Sequence, residues 1–470
     1  MTNVQNQAVE TRAAPPFRDI DGNLDERFVD VVAAAVGSGD SELLSELISE
    51  LHEADQATLL EALDSNLRPT LIELLGSDFD FAALTEVDDA VREEILEELD
   101  TEILVEGVRE LDSDDAVYIL EDLNREDQEE ILDALPALDR VALQKSLDYP
   151  EGSAARLMQT DLIVVPPFWT VGQVIDHLGD TADLPDSFFE VFVVDPAYRL
   201  LGNVFLDSLV RSKRTARVEE LMASDRRQVS VSDDREKVAL LFGRYNLVSV
   251  PVVDESGRLV GVITIDDIVD VIQDDADDEI KALGGVKGDE ELSDSVLATA
   301  RSRFGWLFLN LLTAFLASSV LGLFEESLSK MVALAVLAPI VAGQGGNAAT
   351  QTMTVAVRAL ATRELGVANA FRVTIRETFV GLLNGLSFGL LAGVVAALWF
   401  DDWNIGVVIA LAMIVNLVAG ALGGILIPML LERYKADPAV SSGVFVTTVT
   451  DVVGFFSFLG IATIWFNMGW

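Results

Sequence analysis

The chain of 470 residues has no cysteine and only two histidines, His52 and His177. Disulfides and thiolate metal sites are therefore excluded, and soft-metal chemistry has few ligands to work with. Basic residues are scarce, with 32 Lys and Arg against 78 Asp and Glu, a net charge of -46. Such a surface repels nucleic-acid phosphates and anionic lipid and concentrates cations, so no nucleic-acid partner is expected. The opening residues, MTNVQNQAVETRAAPP, lack the basic-then-apolar order of a signal peptide, and the acidic part is expected to stay in the cytoplasm. The imbalance is confined to one part of the chain. Residues 1 to 300 carry 69 acidic and 23 basic side chains, whereas residues 301 to 470 carry 9 of each. An acidic soluble body is thus followed by an apolar one, and the length allows several domains.

After a polar leader (1 to 23), residues 24 to 147 read as short amphipathic helices. Leu51/Asp55/Leu59/Leu60, Leu111/Asp115/Ile119/Leu120 and Leu123/Asp127/Ile131/Leu132 share one spacing, and Leu135/Asp139/Leu143 continues it. The pattern predicts a helical solenoid in which each aspartate is an N-cap and the aliphatic pair enters the core.

Residues 148 to 265 contain a duplication. FFEVFVVDPAYRLLGNVF (188 to 205) aligns with LVSVPVVDESGRLVGVIT (247 to 264) at a constant offset of 59, matching Asp195 with Asp254, Arg199 with Arg258 and Gly202 with Gly261. Each copy predicts strand, turn, strand and helix, and is preceded by LMQTDLIVV or LMASDRRQVSV. The pair is similar to tandem CBS domains, a resemblance that implies an α/β unit able to bind an adenine nucleotide such as ATP. The second copy has the family's Gly261, Thr264 and Asp267, with Thr264 and Asp267 placed to meet ribose or phosphate, where the first has Gly202, Phe205 and Ser208. Nucleotide binding is expected at one site only.

From residue 301 the chain reads as an all-α membrane domain with five apolar segments, near 304 to 324, 331 to 357, 374 to 400, 405 to 431 and 442 to 467, each long enough for a bilayer. Arg301 and Arg303 precede the first, Arg358, Arg363, Arg372 and Arg376 fill the second connection, and Arg433 and Lys435 fill the fourth. The positive-inside rule places the N-terminus in the cytoplasm and the C-terminus outside.

Polar groups inside these spans are costly and need a reason. Asp451, in GVFVTTVTDVVGFF, is the only acidic residue well inside a span, and Thr447, Thr448 and Thr450 surround it. A carboxylate there either takes a proton or meets a cation, or partners a hydroxyl or arginine. The second span holds PIVAGQGGNAATQTMT (339 to 354), whose glycines and proline either let helices approach closely or break the helix beside a wet cavity. Gln344, Asn347 and Gln351 fit close packing less well, and the fourth span adds Asn416 beside Gly420, Gly423 and Gly424.

Acidic helical domain, CBS pair, acidic helix (266 to 300) and five spans, in that order, resemble the MgtE family of magnesium channels. The most specific parts are GQGGNAATQ (343 to 351), VRALATREL (357 to 365), DPAV (437 to 440) and TTVTD (447 to 451). The resemblance implies a homodimer in the cytoplasmic membrane, with Asp451 binding hydrated Mg2+ in a shared pore and Asn347 lining it. It also implies that DDIVDVIQDDADDEI (266 to 280) belongs to a plug helix, where intracellular Mg2+ closes the channel. Asp267, Asp270, Asp275, Asp278 and Glu279 fall on acidic positions of that region, and Asp234 and Glu236 on those of the second CBS copy. Gln273 interrupts the acidic run, and Asn246 stands where the family can carry another carboxylate. A proton- or sodium-coupled transporter of divalent cations (Mg2+, Co2+, Mn2+) is the alternative; an enzyme is not expected, since the spans offer no nucleophile with a base and no second catalytic carboxylate.

Overall fold

The computed structural model describes residues 15 to 181, 184 to 185, 187 to 222, 227 to 288, 290, 295 to 366, 368 to 436 and 438 to 468, with the backbone alone at 440 to 442. Parts of the LMASD and DPAV motifs, including Asp437, lie outside these residues. The chain divides into two compact units, 1–274 and 275–470.

The first unit begins, among the described residues, with α1 (Glu26–Ser38), α2 (Ser41–Ile48), α3 (Glu53–Ala62), α4 (Arg68–Leu75), α5 (Asp89–Glu98), α6 (Thr101–Glu110), α7 (Ser113–Glu121), α8 (Arg125–Ala134) and α9 (Ala137–Leu147). Helices pack on their second neighbours, α6 on α8 and α7 on α9, so the repeats stack as a solenoid. Leu59, Leu60, Ile119, Leu120, Ile131 and Leu132, the aliphatic pairs of the repeat, are all buried in one continuous core. The repeat aspartates are not N-caps. The caps are His52, Asp112, Asn124 and Pro136, which puts Asp55, Asp115, Asp127 and Asp139 three residues inside the helix. A carboxylate in the first turn still meets free N–H groups and the positive end of the helix dipole, so the position keeps its acidic preference without capping.

Two three-stranded sheets follow, β1 (Val164–Val165), β2 (Glu190–Val194) and β3 (Leu200–Phe205), then β4 (Val229–Ser230), β5 (Ser249–Val253) and β6 (Leu259–Thr264). Each sheet joins a parallel to an antiparallel pair, with a register shift at Val193/Val194 in one and Val252/Val253 in the other, 59 residues apart. The turns match as well. Asp195 Oδ1 accepts from the Ala197 and Arg199 amides at 2.8 and 2.9 Å, and Asp254 Oδ1 from those of Ser256 and Arg258 at the same distances. The duplicated Asp is therefore a turn residue. Val194, Leu200, Val253 and Leu259, pairwise equivalent, share a small core between the two sheets. Helices α10 (Val171–Asp180), α11 (Leu206–Arg211), α12 (Val218–Leu221) and α13 (Arg235–Tyr245) cover the sheets, and α14 (Ile265–Leu283) leaves β6 directly. The equivalent helix of the first copy, α11, has 6 residues against 19 for α14. The extra length carries the acidic run.

The second unit contains α15 (Val296–Leu323), the short α16 (Glu325–Lys330), α17 (Val332–Ala361), α18 (Ala370–Phe400), α19 (Trp403–Arg433) and α20 (Pro438–Trp465). Among the described residues five helices are long and apolar enough to cross a membrane. α17 runs unbroken through Pro339, and of the glycines of the second span Gly345 serves close packing, against Asn416 of α19, while Gly343 has open space around it. α19 is the centre, against which α17, α18 and α20 all pack. Gly381, Gly385, Gly389 and Gly393 form one stripe on α18, and a Cβ at Gly389 or Gly393 would come within 2.8 Å of the Ala410 carbonyl or 2.7 Å of the Gly406 carbonyl of α19. Apolar lipid gives helices no hydrophobic reason to associate, and backbone proximity of this kind supplies dispersion contact instead.

Candidate ion pathway and acidic cluster

In the membrane unit α17 turns a polar stripe outward: Asn347, Thr350, Gln351, Thr354 and Arg358 are all exposed. On α20, Thr447 is exposed and Thr448 and Asp451 are half-buried. The threonine hydroxyls donate one turn back along α20, Thr447 to the Gly443 carbonyl at 2.9 Å and Thr448 to that of Val444 at 2.6 Å. Each thus spends its proton on the backbone and leaves its oxygen free to accept. Asp451 has no hydrogen-bond or ion-pair partner among the described residues, so the structural alternative of a hydroxyl or arginine partner is not realised within the chain. A lipid-facing polar stripe is disfavoured, so these side chains call for water, an ion or a second protein surface. Asn416 and Thr450 differ. Both have 0% exposure, Thr450 donating within its helix to Thr447 at 2.9 Å and Asn416 donating from Nδ2 to the Val341 carbonyl of α17 at 2.8 Å. They sit in the helix packing and line no surface of the subunit. A separate cavity of about 220 Å³ among α17, α18 and α19 is lined by groups such as Leu337, Phe388, Trp399 and Met413, with Gln344 as its polar member. It offers a cation nothing.

The plug residues are divided between the units. In the first, Asp267 accepts from the Thr264 hydroxyl at 2.9 Å and lies beside Asp114 and Asp115 of α7. Asp114 is buried, and its Oδ2 has no hydrogen-bond partner. Burial, reinforced by Asp267, pushes Asp114 well above the carboxylate range and Asp115 up to about 7. Burial and then Asp266 raise Asp267 to about 7, and burial and then Glu86 raise Asp270 to about 6. No three carboxylates or imidazoles among the described residues converge to hold a metal in this conformation. Asp114 has no place in the repeat pattern and Asp115 is a helix-interior residue rather than a cap; the run LDSDDAV (111 to 117), denser in aspartate than the other repeats, is the signal in the sequence. Asp234 caps α13 facing Lys237 at 3.8 Å, and Glu236 lies two residues on.

In the second unit Asp275 and Asp278 are exposed, while Glu279 pairs with Arg358 of α17 at 2.8 Å. Ala282 and Leu283, at the end of α14, pack with Met353 and Val357 of α17 and Val446 of α20. The connecting helix therefore ends against the two helices that bear Asn347 and Asp451.

The expected nucleotide cleft is narrow. Its volume is about 20 Å³, between Gln159, Phe188, Glu190, Ser249 and Thr264, room for about one water. Glu190 forms its floor, accepting from Ser249 Oγ at 2.7 Å and from Asn203 Nδ2. Asp267 is turned to Thr264 and the α7 carboxylates.

Five apolar spans, a mid-span carboxylate that has no partner among the described residues and lies near acceptor hydroxyls, and an acidic first unit define a multi-pass cation transport protein. Residues 338–461 match the MgtE divalent cation transporter domain, 51–152 the MgtE intracellular N domain and 218–274 the CBS domain. The chain is 32% identical to the magnesium transporter MgtE of Thermus thermophilus, over 93% of this chain and 98% of that one. It is 30% identical to the Bacillus subtilis magnesium transporter MgtE, over 70% and 73%. A crystal structure of the cytosolic domain of the Mg2+ channel MgtE in complex with ATP aligns with 52% of this chain and 99% of that one, at 30% identity and a TM-score of 0.48. The chain belongs to the MgtE family of magnesium transporters, which are transport proteins and not enzymes.

Proposed function

We propose that this protein is a magnesium channel of the cytoplasmic membrane, with its N-terminus in the cytoplasm, formed by two copies of the chain and closed by intracellular Mg2+. The observation that carries the reading is Asp451: a carboxylate in mid-span, without a partner, beside hydroxyl oxygens free to accept. Mg2+ keeps most of its water and is held by one or two carboxylates through that shell. Two facing copies of Asp451, with Thr447, Thr448 and Asn347, suit such an ion, and the polar stripe of α17 gives the second copy a surface that lipid would not cover. Asn416 and Thr450 support this lining from behind.

Closure draws on the acidic cluster. Burial holds Asp114, Asp115 and Asp267 in a state that costs free energy when ionised, and a divalent cation relieves that cost in the docked form alone. Asp270 follows Asp267 one turn on along α14; Asp234 and Glu236, and Asp275 and Asp278 further along the helix, are the other carboxylates we propose as regulatory Mg2+ ligands, while Glu279 is engaged by Arg358. ATP binding at Thr264 requires the cleft to open and Asp267 to turn from the α7 carboxylates. The domain limits we propose are 1–23 leader, 24–147 N domain, 148–265 CBS pair, 266–300 plug and 301–470 pore.

The test is current through the purified protein in planar bilayers, with Mg2+ varied separately on each side. Asp451→Ala is expected to remove Mg2+ current at equal protein amount. Undiminished current in that variant refutes the pore assignment, and transport that requires a proton or sodium gradient establishes the coupled-transporter alternative.

A further inference from the structure

α19 meets α17 along one stripe, Asn416, Gly420 and Gly424, spaced one helical turn apart and continued by the buried Ala412. Three of these residues are small, and they bring the backbones together: a Cβ at Gly420 would lie 2.8 Å from the Gly345 carbonyl, and one at Gly424 2.6 Å from that of Ala349. Asn416 breaks the series. Its amide is fully buried and fills the space above two further glycines, Gly345 of α17 and Gly454 of α20. A Cβ at Gly345 would overlap the amide, and one at Gly454 would lie 2.7 Å from Nδ2. One side chain of α19 is thus wedged between α17 and α20 and donates to the Val341 carbonyl at 2.8 Å.

Packing alone does not account for this choice. The Asn416 Oδ1 has no hydrogen-bond partner, and an unpaired buried oxygen is unfavourable where leucine would fill the same volume without one. What the amide gives and leucine cannot is a directional bond that fixes α19 to α17 while the same group packs on Gly454 of α20. The glycines it touches lie two residues before Asn347 and three residues after Asp451.

We infer that Asn416 is a positioning residue for ion discrimination: it lines no pathway, but sets the spacing and rotation of α17 against α20 at the level of Asn347 and Asp451. This rests on the pore assignment made above. Asn416→Ala and Asn416→Leu remove the bond to Val341 while leaving Asp451, Asn347 and the threonines in place.

The experiment measures the Mg2+ to Na+ permeability ratio, from reversal potentials of the full-length protein in bilayers, with protein amount controlled. Both variants are expected to lower the ratio by about 3- to 10-fold, the range a hydrogen bond between membrane helices is worth. A purely structural amide would reduce the amount of assembled protein and leave the ratio of the surviving channels unchanged; that result overturns the inference. If Asn416→Leu fails to assemble, Gly345→Ala and the double variant Asn416→Ala/Gly345→Ala carry the test. The crowded single variant is expected to shift the ratio, and the double variant, in which room is restored, to lie closer to wild type; equal ratios in all three channels also overturn the inference. Asp451→Ala is measured in parallel. Normal Mg2+ current there sinks the pore assignment and the inference with it, whereas a silent Asp451→Ala with unaltered Asn416 variants sinks the inference alone.

Discussion

Asp114, Asp115 and Asp267 crowd together in the first unit, whereas Asp451 has no carboxylate neighbour of this kind in the second. The acidic unit has aqueous solvent around it and can keep like charges close by leaving protons on them near neutrality. The membrane unit has no such reservoir. It relies on glycine against backbone for its helix contacts and holds Asp451 half-buried in mid-span. The same residue type thus sits among like charges in one unit and alone in an apolar span in the other, the difference set by what surrounds it.

The sharpest break of this contrast is to strip a buried charge of its partner in the acidic unit. Arg92 has 2% side-chain exposure and bonds Asp89 and Asp122 at 2.5 Å each, the Val87 carbonyl at 3.2 Å and the face of Tyr118. Arg92→Ala is expected to cost about 3–5 kcal/mol, because Asp122 loses its partner in a partly dry site. Urea denaturation of the acidic unit measures it, and a loss under about 1 kcal/mol would mean that water replaces the guanidinium.

In the membrane unit the corresponding injury is steric. Gly393→Ala places a methyl against the Gly406 carbonyl of α19, with an expected cost of about 1–3 kcal/mol from overpacking. The same change at Gly343, which has open space around it, is expected to be near neutral. Thermal inactivation in detergent compares the two, and equal behaviour would discount the stripe as the basis of packing.

pH sharpens the comparison next. Asp115 and Asp267 are raised to about 7 by burial, so between their unfolded values, about 4, and about 7 the folded chain holds more protons than the unfolded one. The contribution of these groups therefore falls as pH rises through that window. The transition of the acidic unit in calorimetry of the full chain is expected at lower temperature near pH 8 than near pH 5, with Mg2+ restoring it, and Asp267→Asn is expected to flatten the dependence. A midpoint that rises with pH would contradict the crowded cluster.

The smallest effect is expected at the end of α14. Glu279 and Arg358 form a pair whose arginine side chain is 65% exposed, and Arg358→Ala is expected to cost about 1 kcal/mol or less. Hydrogen exchange of residues 275 to 283 reads it. Complete loss of protection there would show that the pair, rather than the burial of Ala282 and Leu283, holds the helix end.

Much was determined by the sequence alone. Aliphatic periodicity, the 59-residue duplication and five long apolar runs specify solenoid, paired sheets and membrane helices, because each depends on local spacing and on solvent preference. Asp451 and Asn347 were visible for a similar reason: a polar residue in an apolar run is conspicuous before any packing is known. Tertiary structure decided what local spacing leaves open. The repeat aspartates read as caps, but the N-cap falls one residue after Leu111 and its equivalents and the helix starts two residues after, which puts Asp115 within the first turn and beside Asp267, far away in sequence. Asn416 and Thr450 looked like Asn347 and Thr447 in the sequence, and their separation into packing and exposed groups follows from which helix face α19 covers. Pro339 left a broken or continuous helix equally open, and neighbours supplied by the fold keep α17 whole. Pairings such as Glu279 with Arg358 join residues 79 positions apart, and such a distance is closed only by the chain as folded.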